Sequence, residues 1–274
     1  MNLPDSPRLL DAAVAAAIAA GDVIVAIRAR GLSVVKKADH SPVTDADRAA
    51  EKIICERLEE VAPGVPMIGE EGVYEGRVPA TNGAFFLVDP LDGTREFVAG
   101  GNDFTVNIGL VRDGAPVLGV IYLPASGRLF AGTVGEGAWR ANVVDGEITE
   151  RRPIRTRSAP DGAVDIVASR SHRTPETEAF ISQYRVGQVV HRGSSLKFCA
   201  VAEGKADLYP RMGTTMQWDT AAGDAILRAA GGRVVTLDGR PLTYGATDAA
   251  GPDAFRNPWF IATGGMEPLL HATR

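Results

Sequence analysis

The chain has 274 residues, 45% of them hydrophobic and 23% charged, so it can bury a substantial core without disulfide staples. Its 29 Lys and Arg against 34 Asp and Glu leave a net charge of −5, which argues against a nucleic-acid polymer or a membrane surface as partner. Two cysteines, Cys55 and Cys199, exclude a disulfide scaffold and most cysteine-based zinc sites. Both cysteines stand in apolar, helical-looking stretches and read as buried free thiols of a reducing cytoplasm. Ser6-Pro7 predicts a helix that runs to about Arg30 and stops at Gly31. Its most apolar part, Ala12 to Ala20, is too short to span a bilayer, and no basic segment precedes it as in a signal peptide. A cytoplasmic protein without a membrane span is expected, with peripheral attachment to the cytoplasmic membrane face as the alternative.

Strand-like Val34-Val35 follows, and Thr44 then opens a second helix that ends near Pro63-Gly64. Asp47 is the third residue of a T-x-x-D capping arrangement there. Met67-Ile68 leads into Gly69-Glu70-Glu71, and Ala84 to Val88 is an apolar strand ending at Asp89. Phe104 to Val111, Val117 to Leu123 and Arg128 to Thr133 are separated by turn signals and predict an antiparallel meander. Arg151 to Asp161 reads as a linker. Beyond it strands are expected at Val164 to Ala168, Val186 to Val190 and Ala206 to Tyr209. Helices are expected at Pro175 to Tyr184, Ser194 to Glu203 and Trp218 to Ala230. The pattern is α+β in the first half and α/β in the second.

The densest chemistry is Asp89-Pro90-Leu91-Asp92-Gly93-Thr94. Two carboxylates at the end of an apolar strand need a partner to stay ionised, and a divalent cation is the usual one. Across a turn containing proline both can face one point, with the Leu91 carbonyl as a further hard ligand. Gly93 and Thr94 can offer backbone N–H groups to a phosphate. Phosphatases that form an aspartyl-phosphate use D-x-D-G-T, with the carboxylates two apart. Here they are three apart, which favours an activated water over a covalent intermediate. Glu70-Glu71 ends another strand, and such carboxylates can converge on the same metal set. Asp219 reads as a helix cap or as a further ligand, and Asp47 as a capping acid or as part of the site. Ser194 with Lys197 reads equally as an anion seat and as an ordinary N-cap with a solvated lysine. Trp218 reads as a packing residue. G-x-x-x-x-G-K-[S/T], H-E-x-x-H and G-x-G-x-x-G are all absent, and the four histidines are scattered, which argues against a zinc hydrolase.

Gly69-Glu70-Glu71, Asp89 to Thr94 and Trp218-Asp219 together resemble the lithium-sensitive, magnesium-dependent phosphatases of the inositol monophosphatase superfamily, which includes fructose-1,6-bisphosphatase. Ser41 to Thr44, Arg95-Glu96-Phe97, Phe104 to Ile108, Gly193 to Phe198 and Asp207 to Arg211 look like its 3′(2′),5′-bisphosphate nucleotidase branch, of the CysQ type. The resemblance implies a layered αβαβα sandwich of the sugar-phosphatase type. The antiparallel meander sheet falls in the N-terminal half, and a second mixed sheet with helices falls in the C-terminal half. The expected division is a metal-binding subdomain over 1–155 and a substrate-binding subdomain over 156–274.

The resemblance also implies roles. Glu70, Asp89 and the Leu91 carbonyl would hold one Mg²⁺. Asp89, Asp92 and Asp219 would hold a second, and a third, weaker ion would sit near Glu70. Thr94, oriented by Asp47, would with Glu70 position and deprotonate the attacking water in a two-metal in-line displacement. Li⁺ is expected to inhibit. Such enzymes remove the 3′-phosphate of adenosine 3′,5′-bisphosphate, a by-product of sulfate assimilation. Where inositol monophosphatases carry a Glu before Met-Gly, this chain has Arg211, and a guanidinium suits a second phosphate. Ser194, Lys197, Arg211 and His172 are the implied contacts to the 5′-phosphate and ribose, with Gly93, Thr94 and Asp219 also at the substrate. Thr214-Thr215 departs from the Gly-Pro-Thr of that branch. The alternatives are a broad inositol or sugar phosphate phosphatase on the same metals, and a non-catalytic nucleotide or metal sensor. A monomer or homodimer is expected. Residues 1–150 carry 13 basic and 22 acidic residues, net −9, and residues 151–274 carry 16 and 12, net +4. The acidic half would hold most of the metal set and the basic half the second phosphate.

Overall fold

A computed structural model of the chain describes residues 5–31, 34–36, 42–81, 83–168 and 174–270. Helix α1 (Ser6–Arg30) starts where the Asp5 side chain accepts from the Arg8 amide at 3.1 Å. Strands β1 (Val34–Lys36) and β2 (Pro42–Thr44) form a short antiparallel pair that delivers Thr44 to the start of α2 (Asp45–Val61). A seven-stranded sheet follows, in chain order: β3 (Met67–Gly69), β4 (Ala84–Asp92), β5 (Thr105–Arg112), β6 (Ala115–Leu123), β7 (Arg128–Thr133), β8 (Gly137–Val144) and β9 (Glu147–Ile154). β3 runs parallel to β4, and the remaining neighbours are antiparallel. Two short helices leave its ends, α3 (Glu70–Tyr74) after β3 and α4 (Thr94–Val98) after β4.

The second sheet is mixed and five-stranded. It uses β10 (Val164–Ala168), β11 (Val186–His191), β12 (Leu208–Arg211), β13 (Arg233–Thr236) and β14 (Phe260–Thr263), in the order β11-β10-β12-β14-β13. Three helices accompany it: α5 (Pro175–Ile181), α6 (Leu196–Ala202) and α7 (Ala221–Ala229).

The layers follow from which side chains each face buries. Phe86 and Val88 of β4 join α1 and α2 through Leu9, Ala13, Ala17, Ala50 and Ile54. Phe85 and Leu87 face the other way, onto Phe198 of α6, Ile226 of α7 and Tyr209 and Phe260 of the second sheet. A strand covered on both faces needs an unbroken apolar run, which is why Ala84 to Val88 does not alternate. On the far side of the second sheet, Phe180 and Ile181 of α5 pack on Ile166, Leu208 and Ile261. The result is an αβαβα sandwich, as the resemblance implies.

The central helix layer is unusually close to the large sheet. Gly109, Gly119 and Gly132 are aligned across β5, β6 and β7. A Cβ on Gly109 would lie 2.8 Å from the Ala222 amide nitrogen, on Gly119 2.1 Å from the Ala222 carbonyl oxygen, and on Gly132 3.0 Å from the Ala229 methyl. The three glycines form a trough in which α7 lies backbone to sheet.

Several expectations are corrected. Arg151 to Ile154 of the supposed linker belong to β9, and β8 was also unforeseen. β9 is an edge strand exposed over Glu147–Pro153, so its sequence carries the charges of an edge and not an apolar signal. β13 and β14 were likewise not anticipated. The helix expected over Trp218 to Ala230 is a 3₁₀ turn (Gln217–Asp219) followed by α7. Cys199 is buried as expected, but Cys55 is exposed, because Ile54 and Leu58 take the inward face of α2. Helix α1 is long and apolar enough to cross a membrane by length and composition, which the short Ala12–Ala20 run did not suggest. In the fold its Leu9, Leu10, Val14 and Ile24 are buried in the α1–α2–sheet core.

Gly119→Ala must push α7 off the sheet, so it is expected to cost about 3 kcal/mol, the upper end of the usual overpacking range. The fall in denaturant midpoint of the purified variant measures this.

Candidate active site

The site is built on the ends of β3 and β4. These neighbours are parallel with Gly69 opposite Val88, so Glu70 and Asp89 leave the sheet side by side. In a regular strand residues i and i+3 point to opposite faces. Against β5, however, Asp89 pairs with Asn107 and Asp92 with Thr105, so β4 holds one extra residue between them. That bulge turns Asp92 back to the side of Asp89, and it explains why three-residue spacing works here. Gly93 follows with φ 96°, a left-handed conformation in which a Cβ would also lie 3.0 Å from the Asp103 carbonyl oxygen. Thr94 then begins α4.

Asp47 caps α2 with one oxygen and reaches Thr94 with the other. Its Oδ2 accepts from the Thr44 amide and hydroxyl, each at 2.7 Å, which completes the capping box of α2. Its Oδ1 accepts from the Thr94 hydroxyl at 3.2 Å. That hydroxyl also lies 3.0 Å from the Leu91 carbonyl oxygen. With a single proton, Thr94 Oγ1 donates to one of the two at a time and keeps lone pairs to accept from a third group.

Asp92 is held by residues from both halves of the chain. Its Oδ2 accepts from the Ser194 hydroxyl, from Ser195 N at 2.9 Å and Ser195 Oγ at 3.0 Å, and from Asn107 Nδ2 at 3.4 Å. Asn107 Nδ2 also donates to Ser195 Oγ at 3.0 Å, and the Thr105 and Ser194 hydroxyls are 2.6 Å apart. Ser194 has φ 50°, and its hydroxyl is turned onto Asp92. The N-cap of α6 is Ser195, which makes no side-chain cap bond; its hydroxyl lies 2.8 Å from the Asp219 carbonyl oxygen. Asp219 closes the 3₁₀ turn, accepting from the Met216 amide at 2.8 Å. Trp218 beside it is buried against Tyr74 of α3 and Phe255, the packing role expected of it.

The basic residues flank this cluster. Lys197 is buried, donates to the Ser194 carbonyl and lies 5.5 Å from the Tyr209 ring centroid. It is not the solvated lysine of an ordinary helix start. Arg211 donates to the Thr214 carbonyl at 2.7 Å, and its Nε is buried without a hydrogen-bond partner among the described residues. The departing Thr214-Thr215 segment is stapled from below. Asn257 Nδ2 lies 2.7 Å from the Met216 carbonyl, 3.1 Å from Thr220 Oγ1 and 3.2 Å from Thr215 Oγ1, and its two protons serve two of these acceptors at a time. His172 lies outside the described residues.

Charge and burial conflict sharply here. Burial pushes the Asp89 carboxyl well above the usual carboxylate range, and the charges of Glu70, Asp92 and Asp219 push it the same way. Burial, then Asp92 and Glu70, push Asp219 up to about 8. Burial pushes Lys197 down to about 8, opposed by Asp92. Such clustering of shifted groups in one place marks a functional site.

The profile of one known family, the inositol monophosphatase family, matches residues 5–264. The chain belongs to that family. The 3′(2′),5′-bisphosphate nucleotidase CysQ of Escherichia coli K12 is 41% identical over 92% of this chain and 98% of its own length. That of Salmonella typhimurium is 42% identical over 89% of this chain and 95% of its own. The crystal structure of CysQ from Bacteroides thetaiotaomicron, a bacterial member of the inositol monophosphatase family, aligns with a TM-score of 0.76 at 39% identity, covering 94% of this chain and 97% of that one.

Inositol monophosphatase family enzymes are generally Mg²⁺-dependent. The donor set suits that ion in kind, since it consists of hard carboxylate and carbonyl oxygens. Asp89, Asp92 and Asp219 each anchor one oxygen on the protein (Asp89 Oδ1 on the Leu91 amide at 3.0 Å) and keep the other outside those bonds. As the side chains stand, no three acidic, His or Cys groups among the described residues are gathered at metal-ligand spacing. What argues for a cation is the buried like charge.

Sequence reasoning missed Thr105, Asn107, Ser195 and Asn257 as site residues. Thr105 and Asn107 were legible in part: two polar residues at i and i+2 in an apolar strand share one face and, both fully buried, must find partners. Asn257 gave no comparable signal, because its stretch has no regular pattern.

Raised carboxyl pKa values stabilise the fold below about pH 4 and lose that contribution as pH rises through the folded value, about 8 for Asp219. Asp224, pushed up to about 6 by burial, acts in the same direction. In EDTA the Tm is therefore expected to fall between about pH 4 and pH 8. Mg²⁺ should restore it more at pH 8 than at pH 5, because ligation needs the deprotonated carboxylates. Scanning fluorimetry across this range, with and without Mg²⁺, is the check.

Proposed function

We propose that the protein is a phosphomonoesterase that removes the 3′-phosphate of adenosine 3′,5′-bisphosphate, yielding AMP and phosphate. One observation supports a bisphosphate above all. Lys197 and Arg211 sit within each other's electrostatic reach, and Lys197 also feels Asp92 and Asp219 on the carboxylate side of the site. Lys197 is buried at a cost to its charge, which Asp92 offsets in part and the like charge of Arg211 increases. An anion between Lys197 and Arg211 relieves both penalties. A substrate with a second phosphate supplies that anion, and a polyol does not. The nucleotidase relatives, at about two-fifths identity along most of the chain, agree with this choice.

The residues divide the work as follows. The backbone N–H groups of Gly93 and Thr94 cradle the phosphate to be cleaved. Thr94 donates its hydroxyl proton to Asp47 or the Leu91 carbonyl, and its lone pair accepts from the attacking water. Glu70 takes the other proton of that water as its oxygen attacks phosphorus in line with the ribose oxygen; the P–O bond to the ribose breaks, the ribose oxygen takes its proton from a second, solvent water, and Glu70 returns its proton to solvent. Lys197 and Arg211 hold the 5′-phosphate, with Ser194 and Asp219 at the ribose side. Two or three Mg²⁺ on Glu70, Asp89, the Leu91 carbonyl, Asp92 and Asp219 supply, when bound, the charge that keeps these carboxylates ionised and acidifies water. On this reading residues 1–155 provide most of the metal and water machinery, and 156–274 the grip on the second phosphate.

Phosphate release should be abolished by excess EDTA and lowered by Li⁺. Its kcat/KM should be higher for adenosine 3′,5′-bisphosphate than for inositol 1-phosphate. The reverse order would establish the broad inositol or sugar phosphatase reading, and no phosphate release from any substrate would leave a sensor. Arg211→Glu should lose about 2–5 kcal/mol of transition-state binding on the nucleotide and far less on inositol 1-phosphate. Equal losses on both substrates would refute the role of Arg211.

A further inference from the structure

Helix α2 presents a second buried carboxylate one turn beyond Asp47. Glu51 is 6% exposed and lies on the same face, at i+4 from Asp47. Its Oε2 accepts from the Glu71 amide and its Oε1 from the Gly72 amide, both at 2.8 Å. The nearest cation is Arg77, at 3.7 Å and largely exposed. The carboxylate thus grips the backbone just after Glu70 with both oxygens. It also controls the residue just before it. A Cβ on Gly69 would lie 2.4 Å from Glu51 Cδ and 2.5 and 2.8 Å from its two oxygens. Gly69 has φ −93°, a conformation open to any residue, so the glycine is required for space alone.

We infer that Glu51 is a positioning residue: it clamps the backbone on both sides of Glu70 and so sets where the Glu70 carboxylate stands relative to Asp89. The two acids of α2 then serve the two strand-end motifs in parallel, Asp47 through Thr94 after β4 and Glu51 through Glu71 and Gly72 after β3. Gly69-Glu70-Glu71 carries its glycine because Glu51 occupies the space a side chain would need. This inference rests on the reading of Glu70 as a metal-binding residue.

The test compares wild type, Glu51→Gln and Gly69→Ala. Glu51→Gln keeps the shape but sets an amide donor against a backbone N–H donor. Gly69→Ala leaves the carboxylate intact and crowds it. The readouts are the Mg²⁺ concentration that gives half of the Mg²⁺-induced rise in Tm and the Mg²⁺ concentration for half-maximal phosphate release. Both are expected to rise about 10–100-fold in each variant, the usual effect of losing a residue that orients a ligand. KM for the nucleotide at saturating Mg²⁺ should stay unchanged. A lower Tm with a wild-type Mg²⁺ midpoint in either folded variant would show that Glu51 only stabilises the fold. If Glu51→Gln does not fold, Gly69→Ala decides alone. No Mg²⁺ response in the wild type itself would overturn both this inference and the metal reading beneath it.

Discussion

The close approach of α7 to the seven-stranded sheet is the constraint on which the site depends. Asp219 belongs to the turn just before α7, while Glu70, Asp89 and Asp92 belong to the ends of β3 and β4 in the other half of the chain. They can share one electrostatic environment only if α7 lies almost in contact with the sheet. The glycine row of Gly109, Gly119 and Gly132 allows that by removing the strand side chains along the line where the helix backbone comes nearest. Ala221 and Ala222 on the helix complete the fit. The glycines cost strand stability and contribute no burial of their own. What they permit is the delivery of a carboxylate from the second half of the chain to the first.

That delivery creates an electrostatic problem. Four acids share a site in which Asp89 and Asp219 are withdrawn from water; that burial, and then the repulsion of their neighbours, shifts both upward. A fold selected only for stability would not gather them. The structure manages the problem by anchoring one oxygen of each of Asp89, Asp92 and Asp219. Asp92 is the clearest case, with four donors from Asn107, Ser194 and Ser195 directed at the same oxygen. The anchoring orients the remaining oxygens without neutralising them, which is what a cation-binding set needs. The bulge after Asp89, the glycine turn at Gly93 and the packing of Trp218 on Tyr74 and Phe255 all serve the same end.

Much of this was legible in the sequence, for identifiable reasons. Ala84 to Val88 announced a strand covered on both faces, and the acids directly after it announced a site, because carboxylates are not placed at the end of a buried strand without a partner. Thr44 and Asp47 announced a helix start, and that part is local hydrogen bonding. β9 was not legible, because an edge strand carries polar residues and its pairing depends on what lies beside it; β8, paired on both sides, mixes Arg140 and Asn142 into its apolar residues and so lacks a continuous strand signal. The division of Asp47 between cap and site was also hidden. The two roles use different oxygens of one carboxylate, and a sequence does not say where each oxygen points.

By itself, the sequence determined the chemistry available: hard oxygen donors at two strand ends and before a helix, basic residues concentrated in the second half, and local signals for most helices and inner strands. Those depend on residue type and short-range spacing. Only the tertiary structure decided which of these groups meet. It turned Asp92 beside Asp89 through a bulge, seated Asp219 through a glycine trough, buried Lys197 beside Arg211 and placed Glu51 under Glu70. Each of these depends on how one element sits against another, even where the residues are near in sequence, and such placements are set by the room that packing leaves, which no local pattern encodes.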